Sequence, residues 1–441
     1  MTEDLRARDL KHLWHPYTHT ETFEAEPYLC IERGEGAYLY TTGGKALLDG
    51  IASWWCVAFG HGNPRLLKAL HTQAGLLQQS ILGNMAHPSA VLLAERLGRM
   101  CPGDLNYAYF ASDGSSVTEA AMKMAVQYWA HQRRPEKTRF LSLEEGYHGD
   151  TFGAMGAGYI SWFHAPYGSL VKPSLVAPTP FTPCNSGEPE EMAQALRAAE
   201  GLETLLKQHH QEIAAFIMEP LCQGAAGMRI YAPVYLQRAR ELCSQYEVLL
   251  IADEIAVGLG RTGALLACDI GDVAPDIVCL GKALTGGYLP MAVAVADQKI
   301  YDSFRTNGGE RRVFFDGHTY CGNPITSALA LEALNLIEEA QDSEALGARI
   351  AQLHAGIQAL GAMPGVAYWK TLGMIGMFAI AEDAGGVAAA RAISLHAREL
   401  GLFVRPLGEV LYLWPPLNVT EDELAAMLRL LGQALASVCR T

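Results

Sequence analysis

Two apolar runs constrain this chain more than anything else in it. Val248–Glu254 (VLLIADE) and Asp276–Leu280 (DIVCL) are strand-length and almost wholly apolar, yet the first closes on Asp253 and Glu254 and the second runs into Gly281 and Lys282. A strand without polar alternation must be covered on both faces, as in parallel sheets sandwiched between helices. Tyr107–Ala111, Thr138–Leu143 and Ile213–Pro220 read the same way, with helical stretches such as Val117–Gln132 and Pro233–Gln245 between them. Residues 36–50, GAYLYTTGGKALLDG, read as two short strands around a Gly-Gly turn. After residue 325 the pattern changes to long helices, Ile325–Glu339, Glu344–Leu360 and Val387–Leu400, then a short strand, Leu411–Trp414, and a last helix. The expectation is an α/β fold. A large domain over residues 61–330 carries a mainly parallel sheet, and a smaller α+β domain is built from both chain ends, residues 1–60 and 331–441.

The acids and the lysine matter because of where they stand. In open α/β sheets, ligands sit beyond the carboxyl ends of the strands. An acid there is costly unless it is paired or hydrogen-bonded. Alone, Asp253 could be a helix cap or half of a structural ion pair, and Lys282 could be an exposed strand-end lysine. Together, on consecutive strands, they face one crevice. Pyridoxal phosphate needs that combination, an amine for its aldehyde and a carboxylate for its ring nitrogen. A third segment, ASDGSSVTEAAMKMA, places Gly114, Ser115 and Ser116 at a helix start, which is either an anion site or an ordinary cap by Ser115 or Ser116. Gly258–Gly263 (GLGRTG) matches a dinucleotide pattern, but ALLACDIGD after it is a poor helix, so NAD binding is rejected. GKALTGG has its glycines and hydroxyl in the wrong places for a phosphate-binding P-loop.

Composition excludes other classes. The formal net charge of −14 and the absence of a basic stripe argue against a nucleic-acid partner. The polar start, MTEDLRARDLKHLWHPYTHT, lacks a signal-peptide core, and no apolar stretch approaches a membrane span. Ten cysteines without CxxC pairing read as reduced thiols, so the expected location is cytoplasmic, with no metal site.

IADEIAVGLGRTG followed by APDIVCLGKALTGG, with YHGDTFGAM and GHTYCGNP, resembles the class III pyridoxal-phosphate aminotransferases of fold type I over nearly the whole chain. Within that family, WHPYT, DGIASWW and LFVRPLGEVLYLWPP are most similar to the branch that aminates 8-amino-7-oxononanoate with S-adenosylmethionine in biotin biosynthesis. The resemblance implies that Lys282 holds the cofactor as a Schiff base, Asp253 pairs with its ring nitrogen and Tyr147 stacks on it. Gly114 and Ser115 would hold the phosphate, helped by Thr319 across a homodimer interface, and His318 would also bind the cofactor. Tyr17, Trp54, Gly317 and Arg405 would form the substrate pocket with Tyr147 and Lys282, and Tyr412 would adjoin it. Two positions depart from relatives: SDGSS has a second serine where an acidic or small residue is common, and His318 replaces a common proline. Another class III enzyme, acting on ornithine, 4-aminobutyrate or another ω-amine, is the alternative. A mutase or decarboxylase using the same cofactor is a more distant one, and a non-catalytic binding protein more distant still.

Overall fold

The computed structural model describes residues 2–306 and 308–439. Near the start, β1 (Ile31–Glu35), β2 (Tyr38–Thr41) and β3 (Ala46–Asp49) form an antiparallel meander. The β2–β3 turn is the expected Gly-Gly turn, with Gly44 at φ 79°. Next come β4 (Leu105–Ala111), β5 (Arg139–Leu143), β6 (Leu175–Ala177) and β7 (Ile213–Met218). A two-stranded hairpin of β8 (Cys222–Gln223) and β9 (Arg229–Ile230) precedes β10 (Leu249–Asp253), β11 (Ile277–Leu280) and β12 (Ala292–Asp297).

Seven of these strands make one sheet in the order β4-β12-β11-β10-β7-β5-β6. It is mainly parallel, as expected. The exception is β12, antiparallel to both of its neighbours. Its sequence, AVAVAD, offers small residues that suit strand or helix equally, so periodicity gave no signal for it. Helices cover both faces. Met122, Met124 and Trp129 of the helix Gly114–His131 pack on Ile217, Ile251 and Cys279, while the helices Pro189–His209 and Val234–Gln245 close the other side.

The C-terminal part differs from the sequence reading. Its helices Pro324–Gln341, Glu344–Gly361 and Gly386–Leu400 fall where expected. Between them, however, lies an antiparallel hairpin of β13 (Val366–Leu372) and β14 (Ile375–Ile380). The short strand β15 (Leu402–Phe403) then joins β3, and β16 (Val410–Leu413) joins β14. The hairpin escaped notice because β14 is buried along its whole length and shows no alternation. β13 also hides a polar residue: Lys370 is wholly buried, its Nζ 2.6 Å from Glu191 Oε1. Local chemistry sets the helix starts. Asn63 and Asn323 accept backbone N–H groups ahead of Pro64 and Pro324, and Thr420 with Glu423 forms a capping box for the last helix, Glu421–Val438. Among the described residues no helix is long and apolar enough to cross a membrane.

Candidate active site

β10 and β11 run parallel with Asp253 beside Cys279, so their carboxyl ends open side by side. Asp253 ends β10, and Lys282 begins the turn of 3-10 helix after β11. Both line one cavity of about 450 Å³, together with Gly114, Ser115, Tyr147 and Trp55. A second cavity of about 900 Å³ continues from Lys282 and Tyr147 past Trp54 and Tyr17 to Arg405.

Asp253 is buried and doubly held. Its Oδ2 accepts from His148 Nδ1 at 2.7 Å and its Oδ1 from the Ile255 amide at 3.1 Å. His148 is also buried, and its Nε2 has no hydrogen-bond partner among the described residues. Since Asp253 only accepts, the Nδ1 proton belongs on that bond. Glu254, the neighbouring acid, serves the fold instead. It accepts from the Ala267 and Cys268 amides at 2.7 and 2.8 Å, and burial pushes its carboxyl up to about 7. Lys282 is half-buried, with Nζ 4.9 Å from the centre of the Trp55 ring. Burial lowers its pKa, against the opposing pull of Asp253 and Glu219. Its backbone is left-handed, φ 41°, a conformation that costs a non-glycine residue about 1–2 kcal/mol.

The helix start at Gly114 is capped by Asp113, not by Ser115 or Ser116. Asp113 Oδ1 accepts from the Ser116 amide at 2.9 Å and its Oδ2 from the Ser116 hydroxyl at 2.8 Å. An acid caps better here because it takes both donors at once. Ser115 is thereby free for the cavity wall, where its Oγ accepts from the Asp150 amide at 3.0 Å. Gly149 lies so close that a Cβ there would sit 2.0 Å from Ser115 Oγ, and its φ is 120°. A glycine is required at that point.

The wall of the larger cavity is aromatic and hydroxylated. Tyr147 Oη donates to Asp150 Oδ2 at 3.0 Å, Tyr17 Oη reaches the same oxygen at 2.5 Å, and the two hydroxyls are 3.3 Å apart. Tyr17 meets Trp54 edge to face at 6.0 Å, and the Arg405 guanidinium lies 5.1 Å from the Trp54 ring centre. Tyr412 stands behind this wall. It is buried, and its Oη accepts from Trp55 Nε1 at 3.2 Å. Gly317, His318 and Thr319 line neither cavity. Thr319 is exposed, and its carbonyl accepts from Gln79 Nε2 at 2.6 Å.

Sequence reasoning overlooked Glu219, buried at the end of β7 and lining the first cavity. Its Oε2 accepts from the Tyr147 amide at 3.1 Å and its Oε1 from the Gly224 amide at 2.9 Å, while burial raises its pKa to about 7. The signal was available: IAAFIME ends an apolar strand in an acid, just as Asp253 does. GLGRTG is not a nucleotide loop. The helix after it spans only Ala267–Ile270, and Arg261 is buried, donating to the carbonyls of Met374 and Pro415 at 3.1 and 2.7 Å.

Comparison with known proteins agrees with this arrangement. Residues 19–435 match the family described as aminotransferase class-III. A Geobacter sulfurreducens protein named adenosylmethionine-8-amino-7-oxononanoate aminotransferase is 37% identical over 96% of this chain and 95% of its own. The crystal structure of the enzyme of that name from Methanocaldococcus jannaschii superposes with a TM-score of 0.91 at 31% identity, covering 99% of each chain. The omega transaminase from Pseudomonas jessenii in complex with PMP gives a TM-score of 0.91 at 29% identity over 98% of each chain. This chain belongs to the class III aminotransferase family, whose architecture is fold type I.

Proposed function

We propose that this protein is a pyridoxal-phosphate-dependent aminotransferase that converts 8-amino-7-oxononanoate to 7,8-diaminononanoate, with S-adenosylmethionine as amino donor, in biotin biosynthesis. One observation carries the reading: Lys282, beneath Trp55 and facing the buried Asp253, opens into a cavity that runs past Trp54 and Tyr17 to Arg405. The names of the relatives point the same way.

The residues fit the cofactor. Asp253, fixed by His148 and the Ile255 amide, is an acceptor ready for a ring N–H. The helix start at Gly114 and Ser115 suits a phosphate. When bound, pyridoxal phosphate supplies an aldehyde for exchange with amines and a protonated ring that draws electrons from the substrate carbon. The protein supplies the rest. Burial leaves Lys282 Nζ more easily deprotonated, so, once freed from the aldehyde, it would carry the proton from the donor's amine-bearing carbon to the cofactor's aldehyde carbon, and in the second half-reaction it would carry a proton the opposite way to the substrate carbon that gains nitrogen. Tyr147 covers the site from a position tied to Asp150. The donor and the keto acid use one pocket in turn, which flat faces such as Trp54, Tyr17 and Tyr147 tolerate. Arg405 anchors a carboxylate and Tyr412 backs the wall through Trp55.

On the same reading Gly317, His318 and Thr319 complete the site of a second copy, making the enzyme a cytoplasmic homodimer. Residues 61–330 act as the cofactor domain, and 1–60 with 331–441 as the smaller one. The deciding experiment incubates purified enzyme with 8-amino-7-oxononanoate and S-adenosylmethionine or lysine, and follows 7,8-diaminononanoate. Its formation with S-adenosylmethionine is expected. Amination confined to ornithine or 4-aminobutyrate chemistry would overturn the reading.

A further inference from the structure

Trp54 and Trp55 reach the site from an uncommon backbone. Ala52, Ser53, Trp54 and Trp55 have φ values of 46°, 46°, 65° and 75°, a left-handed turn without a glycine. L-residues resist this conformation, and a run of them persists only where the surroundings over-determine it. The turn brings the two indoles to different parts of the site. Trp54 lines the larger cavity beneath the Arg405 guanidinium, and Trp55 lies against Lys282 Nζ while stacking on Trp414 at 5.1 Å.

Backbone bonds close the turn, from the Trp55 amide to the Ile51 carbonyl at 2.9 Å and from the Val57 amide to the Ala52 carbonyl at 3.0 Å, and the side-chain bonds at its start converge on one acid. Asp49, the last residue of β3, is wholly buried. Its Oδ2 accepts from the Ser53 hydroxyl at 2.7 Å and from His61 Nε2 at 3.0 Å, and its Oδ1 from the Ile51 amide at 3.4 Å. Ser53 is inside the turn and Ile51 opens it. His61 is fixed in its own right. Its amide bonds to the Gly36 carbonyl at 2.7 Å, and a Cβ on Gly34 would lie 2.5 Å from its ring. Asp49 is also paired in register with Phe403, two residues before Arg405, and the next residue's carbonyl accepts from the Trp414 amide at 2.7 Å. One buried carboxylate thus stands where the turn bearing both indoles and the segment bearing Arg405 leave the same pair of strands. A buried carboxylate is tolerated when fully hydrogen-bonded, and charge-assisted bonds from it are strong enough to hold an unfavourable backbone.

We infer that Asp49 is a positioning residue for the substrate pocket: its carboxylate holds the left-handed turn that presents Trp54 to the substrate and Trp55 to Lys282. This rests on the aminotransferase reading above, so the wild-type enzyme first has to form 7,8-diaminononanoate; if it does not, that reading fails and the role of Asp49 is judged on spectra alone. Asp49→Ala, Asp49→Asn and Ser53→Ala are compared as cofactor-loaded enzymes. Asp49→Ala is expected to raise KM for the keto acid at least about tenfold and to change the near-ultraviolet dichroism of the tryptophans, with the pH profile of kcat unmoved. Asp49→Asn, which keeps an acceptor for Ser53 and His61 but loses the charge and the acceptor for the Ile51 amide, should recover part of both readouts. A folded Asp49→Ala enzyme with wild-type KM and tryptophan dichroism would overturn the inference. A shifted pH profile with KM intact would do so too, because it would mean the charge acts on Lys282 directly. Should Asp49→Ala fail to fold, Ser53→Ala decides: a KM raised about three- to tenfold supports the inference, and an unchanged KM overturns it.

Discussion

His148 Nδ1 lies 2.7 Å from Asp253 Oδ2, and both side chains are buried. On the proposed reading, the pair decides which acid serves a ring nitrogen. Glu254 is next in sequence but is spent on the Ala267 and Cys268 amides. Asp253→Asn keeps the shape, and its amide oxygen can still accept from His148, but the charge is gone. We expect kcat to fall at least ~10²-fold, equivalent to about 3 kcal/mol of transition-state stabilisation. Steady-state rates near wild type would return the role to another acid.

Lys282→Ala should abolish turnover while leaving a cavity that still takes up the cofactor, because Asp253 and the helix start at Gly114 remain. Borohydride reduction followed by mass measurement should find the cofactor attached to the wild-type chain at Lys282 and absent from the variant. Attachment at a different lysine would refute the assignment.

These two residues were legible because ionisable groups at strand ends need a reason to be there. The same rule, applied to IAAFIME, would have exposed Glu219. The Trp54–Trp55 turn was not legible, since ASWW contains no glycine to announce a positive φ and the cause, Asp49, acts through tertiary contacts. The β13–β14 hairpin was hidden by burial, which erases the alternation that marks a strand and shelters Lys370 behind Glu191. Gly317, His318 and Thr319 line neither cavity, so no apolar strand or cavity wall of this chain marks them.

Glu219 gives a pH signature. Burial pushes its carboxyl up to about 7, against about 4.3 in an unfolded chain. A raised folded pKa contributes stability that is present at low pH and lost as pH rises through about 7. Glu219→Gln does not titrate. Its stability relative to wild type should therefore climb by about 2–3 kcal/mol between pH 5 and pH 8, whatever constant offset the lost acceptor adds. Denaturant unfolding at the two pH values measures this, and parallel behaviour of the two proteins would contradict it.

Thr319 tests the shared site. It is exposed and outside both cavities of its own chain. If it serves a second copy, Thr319→Ala should weaken cofactor retention. Refolding that variant together with Lys282→Ala should then regain activity, because a mixed dimer has one site with both residues intact. A fully active monomer in solution mass measurements, or no recovery on mixing, would rule this out.

On the proposed reading, Arg405 decides how two acids share one pocket. Its guanidinium rests on the Trp54 ring, 5.1 Å from the centre, and its Nη2 reaches the Tyr17 carbonyl at a loose 3.4 Å. That weak bond leaves most of its donor fork available to a carboxylate, which a planar guanidinium can grip through two parallel bonds. The keto substrate carries its carboxylate at the far end of a long apolar chain, whereas S-adenosylmethionine carries one beside its reacting amine. The two acids lie at different distances from the reacting centre, and one fixed anchor fits one of them better. Arg405 lines the larger cavity against Trp54, and the prediction assigns it the distant carboxylate. Arg405→Ala should therefore slow the second half-reaction more than the first, by about 1.5–3 kcal/mol for one lost charge-assisted contact. Single-turnover experiments resolve the halves separately. Equal damage to both would make Arg405 the anchor of both acids, and no damage to either would leave it a structural residue stacked on Trp54.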